Sequence, residues 1–102
     1  MKIIVKLVEL IEEELSDAKR YLKLARREMS EHSHLAERFV DLAEAEMDHA
    51  KILHEEAARI IEEYRAQNGD PPSEMLAVYN FMHDKQIDRA SKIRQMIQEF
   101  RS

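Results

Sequence analysis

The sequence predicts an all-α protein, and three observations predict it. The single Gly and both Pro of the 102 residues fall together in Asn68-Gly69-Asp70-Pro71-Pro72, so only one strong helix break exists. Elsewhere Ala, Leu, Glu, Lys, Arg, Met and Gln predominate, the residues that cost least in a helix. Apolar residues recur in steps of three and four, which is helical periodicity. The strong break divides the chain about two to one. A weaker one lies at Ser30 to Ser33, where Ser and His interrupt the apolar pattern and Ser33 can cap the next helix. The prediction is three helices, over roughly 3–29, 34–67 and 72–100.

In the first helix Ile4, Val8, Ile11, Leu15, Ala18, Leu22, Ala25 and Met29 form an apolar seam along the whole length, and such a seam needs a partner. The second carries Phe39, Ala43, Ala50, Leu53, Ala57, Ile60, Ile61 and Tyr64, with Asp41, Glu44, Asp48, Lys51 and Glu55 opposite. The third carries Leu76, Tyr79, Ala90, Ile93, Ile97 and Phe100 on one side. About four residues separate the first two helices, so they should fold back as an antiparallel hairpin. Residues 1–67 make that hairpin. Residues 68–102, the Pro-containing turn and C-terminal helix, belong to the same domain and should cover its open side or join a neighbouring subunit. A core at this length is thin, and self-association would help it.

Composition excludes several functions. With no Cys there is no disulfide, thiolate metal site or Cys nucleophile. A net charge of -5 without a basic stretch argues against a nucleic-acid surface. No apolar run reaches the roughly 20 residues of a membrane span, and Met1-Lys2-Ile3-Ile4-Val5-Lys6 lacks the pattern of a signal peptide. The expectation is a soluble, cytoplasmic protein with neither nucleic-acid nor membrane partner. No nucleophile with a matched base, Gly-rich phosphate loop or cofactor fingerprint is visible.

The chemistry is concentrated in Glu46-Met47-Asp48-His49, a carboxylate and an imidazole one helical turn apart. Spacing alone proves little, because Glu31 and His34 repeat it at the expected turn. Position decides. Turning the helix about 100° per residue puts Glu46 within about 10 to 20° of the centre of the second helix's apolar stripe and His49 roughly 70° to one side. On the first helix Glu13 points away from the seam, beside Glu9, Asp17 and Arg20. Glu14 lies roughly 65° from the seam's centre and can enter the hairpin, while Glu12 lies roughly 95° out on the other flank. Counted from the turn, Glu14 is fifteen residues back, Glu46 twelve residues forward and His49 fifteen, which places all three within one helical turn of the same height.

Ionised carboxylates are costly to bury unless paired or metal-bound, and here two arrive at one level with a nitrogen donor. Oxygen donors with one imidazole suit iron, and manganese fits the same set, whereas a structural zinc site is poorly matched. One hairpin supplies too few ligands. Di-iron carboxylate bundles use a Glu from each of two helices and Glu-x-x-His from each of two more, of which this chain holds half. Two copies about a two-fold axis would contribute Glu14, Glu46 and His49 twice.

The stretch Leu42-Ala43-Glu44-Ala45-Glu46-Met47-Asp48-His49-Ala50-Lys51 resembles the second-helix motif of the ferritin-like superfamily, rubrerythrin in particular. Glu14 followed by Tyr21 resembles that family's first-helix Glu with a Tyr seven residues on. The resemblance covers residues 1–67. In its short length the chain is similar to the encapsulated ferritins, which build a ferroxidase centre between two subunits. The resemblance implies a four-helix ferritin-like bundle completed by dimerisation, in a homodimer or higher homo-oligomer. It implies two irons per dimer interface, with Glu46 bridging them and Glu14 and His49 completing each coordination sphere, so that these three residues are both metal ligands and catalytic residues. The implied activity is oxidation of Fe(II) to Fe(III) by dioxygen or peroxide, for iron handling or protection from oxidative stress. Tyr21 would hydrogen-bond a ligand or pass electrons. The encapsulated relatives enter a protein shell through a terminal targeting peptide, whereas here Met96 to Ser102 simply continues the third helix's pattern and shows no separate tag.

Plainer readings stand beside these. Glu13 and Asp17, with Glu9, could guide cations toward the site or form an ordinary solvated face. His83, on the apolar side of the third helix, could approach the metal or simply pack, and His54, His32 and His34 read as structural or solvated. Glu46 could instead be paired with a buried Arg or Lys. The alternative for the whole chain is a non-catalytic ferritin-fold interaction module with at most a structural metal.

Overall fold

The structure is a computed structural model that describes residues 2–102. It consists of α1 (Lys2–Glu28), α2 (Ser33–Asn68) and α3 (Ser73–Arg101), with no strand among the described residues. Each boundary lies within a residue of the sequence expectation. The long helices stretch the molecule to 56 × 21 × 18 Å. No described helix is long and apolar enough to cross a membrane.

The seam of α1 does what its spacing implies. Ile4, Leu7, Ile11, Leu15, Ala18, Leu22 and Ala25 are buried, chiefly against α2. Val8 is only half-buried, its place in the stripe taken by Leu7, and Met29 lies past the helix end and is exposed. The pairing is antiparallel: Ile4 and Leu7 pack with Ala57 and Ile61 at one end, while Leu22 and Ala25 pack with Ala36 and Val40 near the turn. Ala18, Ala25, Ala43 and Ala57 are wholly buried, and their small side chains let the two backbones approach closely.

The turns differ from expectation in one detail. His32, not Ser33, occupies the N-cap of α2, and no side chain caps that end; its carbonyl accepts from the Ala36 amide at 2.9 Å. At the other end Gly69 takes φ +80°, and its amide donates to the Arg65 carbonyl at 3.0 Å, closing α2 in a conformation a β-carbon disfavours. Pro72 then sits at the N-cap of α3.

α3 returns parallel to α1. Tyr79 packs at the Ile4 and Leu7 end, and Phe100 packs with the cluster that holds Ala25 and Ala36. Ile93 and Ile97 are its buried apolar residues. A polar contact also fastens it. Gln86 is buried, and its amide donates at 3.1 Å both to the Val8 carbonyl and to the Glu12 carboxylate. Arg89 binds the other oxygen of Glu12 and reaches Ser16 at 3.3 Å. At the C-terminal end Arg101 bridges Asp41 and Glu44 of α2. All these partners lie on one flank of the hairpin, the flank of Glu12. The flank of Glu14 is left without a third helix.

Candidate metal centre

Glu14, Glu46 and His49 come together on that uncovered flank. Each offers a donor atom, and the three atoms all lie within 4.8 Å of one another. His49 Nδ1 stands 3.5 Å from Glu14 Oε2 and 4.0 Å from Glu46 Oε2. Height and flank, both set by counting from the turn at 1.5 Å and about 100° per residue, therefore bring the residues together as expected.

Depth differs from expectation. The buried stripe of α2 runs through Ala36, Val40, Ala43, Met47, Ala50, Ala57 and Ile61, so its centre lies about 70° from Glu46. The cause is α3, which docks on the far flank and pulls the buried side toward Met47. Glu46 is thus at the border of the core, its side chain 18% exposed, with Glu14 at 24% and His49 at 55%. Around them Leu10, Tyr21, Phe39 and Leu53 are half-buried and Leu42 is exposed, so the cluster sits within an apolar margin that α3 does not cover.

Two observations test whether these residues suit a cation. First, Glu14 Oε2 is buried and accepts no hydrogen bond, although a carboxylate oxygen shut away from water ordinarily finds a donor. Second, among the described residues His49 is the sole base within ion-pair distance of either carboxylate, so the Arg or Lys partner that would explain Glu46 is not there. An oxygen without a donor, a second carboxylate and an imidazole nitrogen form a hard donor set that fits a divalent cation such as Fe(II) or Mn(II). Three donors leave part of any coordination sphere open.

The other residues singled out by sequence lie elsewhere. Tyr21, two turns along α1 from Glu14, stacks on Phe39 with ring centroids 6.2 Å apart. Asp17 pairs with Arg20 at 3.3 Å and, with Glu13, lines an open surface hollow on α1. His83 is not part of the cluster: its ring stacks on His54 at 4.3 Å and on Tyr79 at 5.6 Å, beneath α3. Burial and the neighbouring His83 hold His54 below its ordinary pKa, and burial raises that of Tyr79.

Sequence reasoning missed Gln86 and the Glu12–Arg89 pair. The available signal was Gln86 itself, a polar residue at helical spacing from Tyr79 and Ile93, which marks a position that needs a specific acceptor. No family model, no curated protein and no solved structure compared with the chain matches it, so the reading of the cluster rests on its own residues.

Proposed function

We propose that two copies of this chain pair through the uncovered flank of the hairpin, complete a four-helix bundle, and oxidise Fe(II) at a di-metal site to which each contributes Glu14, Glu46 and His49. The observation that carries the proposal is the buried Glu14 Oε2, which accepts no hydrogen bond although Glu46 and His49 stand beside it. The apolar margin of Leu10, Phe39, Leu42 and Leu53 favours a second copy over a monomer, because a two-fold axis there would bury that margin and double the donor set.

The chemistry supplied at such a site is the loss of one electron from each of two Fe(II) substrates to one shared oxidant, dioxygen or peroxide. The chain's own residues prepare for it. Glu14 and Glu46 carry the negative charge that favours the ferric product over the ferrous substrate. His49 offers the one nitrogen donor beside the two carboxylates. Half-burial removes competing water from the carboxylates, and the exposed edge at His49 leaves a route in for iron and oxidant.

Anaerobic titration should show about one Fe(II) bound per chain, and admission of oxygen should give a ferric absorbance change that Glu46→Ala abolishes. Iron uptake without oxidation would favour the interaction module with a structural metal. Failure to bind Fe(II) or Mn(II) at all would end the metal reading.

A further inference from the structure

A second feature lies on the opposite flank, under α3. There the three helices enclose a cleft of about 110 Å³, floored by the buried side chains of Ile11, Leu15, Met47 and Ala50. Its wall includes the stacked rings of His54 and His83, and Lys51 and Arg94 stand at its edge. No carboxylate lines it, in a chain with 21 acidic residues. Arg20, Arg38, Arg59, Arg65, Arg89 and Arg101 have carboxylate partners, while Arg26 and Arg27, away from the cleft, have none among the described residues. Lys51 and Arg94 have none among the described residues.

We propose that this cleft binds a small monocarboxylate with a short hydrocarbon body, the head held by Lys51 and Arg94 and the body resting on Ile11, Leu15, Met47 and Ala50. Each half of the ligand is drawn from a separate observation. Two cations without counterions, beside donors from His54 and His83, call for an anion. The floor is apolar and would be wasted on a fully hydrated inorganic ion. Size limits the body: a cavity of about 150 Å³ accepts benzene, so this one suits about four carbons. Internal acids do not compete. Glu12 is held by Gln86 and Arg89, and Glu55, which acts on the charge of His54, does not line the cleft. The inference is independent of the metal centre, which faces the other way.

Butyrate titrated into the 15N-labelled full chain should give saturable amide shifts at residues around Ala50, His54 and Ala90. Butanol, which has the body without the charge, and inorganic phosphate, which has the charge without the body, should each bind at least about fivefold more weakly. Lys51→Ala combined with Arg94→Ala should weaken butyrate by at least about tenfold, while Lys2→Ala with Lys6→Ala, two exposed lysines of α1 that do not line the cleft, should leave it unchanged. Lys51 and Arg94 are exposed, so their removal should not unfold the chain, and the same spectra check that it has not. Absence of saturable shifts with butyrate would overturn the proposal, and so would equal binding of butanol or full affinity in the Lys51 and Arg94 double variant.

Discussion

Glu14 carries a stability cost that the proposed cation would relieve. Its Oε2 has left water without gaining a hydrogen bond, which disfavours the metal-free fold. Glu14→Leu should therefore raise the stability of the metal-free protein by about 1 kcal/mol and remove the stabilisation by metal. In thermal melts with chelator and with Mn(II), the parent protein should gain about 2.7 kcal/mol at a hundredfold excess of Mn(II) over Kd, and the variant should gain none. An equal gain in both would mean that the carboxylate is not a ligand. Leu15, only 1% exposed at the same height, tests the core instead: Leu15→Ala should cost about 2 to 5 kcal/mol in urea unfolding. The level and flank of Glu14 could be read from sequence because rise and rotation are local properties of a helix. The depth of Glu46 could not. It depends on which flank α3 takes, and that is settled by Gln86 meeting the Val8 carbonyl, 78 residues away in the chain.

At the scale of the element, α3 is the part held by polar contacts at separate points, and these respond to acid in different ranges. His54, its pKa depressed in the fold by burial and by His83, binds its proton more readily when α3 is undocked. Stability from this group is therefore complete above about pH 6.5 and declines as the pH falls from there through the depressed value. The groups around the pair are Lys51 and Glu55 of α2 and Tyr79 and Arg94 of α3, while α1 offers the apolar Ile11 and Leu15. At the far end the Arg101 guanidinium hydrogen-bonds Asp41 and lowers its pKa, so that contact persists until the solution falls below the usual carboxylate range. Melts between pH 7 and 5 should show a decline that His54→Gln flattens, and one unchanged by that substitution would remove the histidine pair as its cause. The helices themselves were legible from periodicity and from one Gly with two Pro. The orientation of α3 was not, since the apolar pattern of the third helix alone names no side for it to dock.

At the scale of the molecule, two flanks of one hairpin do different work. One receives α3 and closes the core; the other presents Leu10, Phe39, Leu42 and Leu53 around the acidic cluster. Leu42 lies about 40° round the helix from Glu46 and is exposed, so Leu42→Asp should leave the monomer's own packing intact. Sedimentation with Fe(II) should then show dimer for the parent chain and predominantly monomer for the variant, with iron bound per chain falling in step. Full iron uptake by a monomeric variant would show that one hairpin suffices. The sequence indicated that Glu14, Glu46 and His49 would share one level, because the motif and its heights are internal to the hairpin. It did not show that the flank carrying these three residues would remain uncovered.

The wholly buried alanines have a consequence beyond packing. Ala18 and Ala43 hold α1 and α2 at a separation that larger residues would not permit, close to the level where Glu14 and Glu46 face each other. They act as a gauge block for the spacing of the two carboxylates. A slightly larger side chain there would widen the gap between the two carboxylates as well as straining the core, so affinity for a small cation and the tightness of the helical pair should fall together.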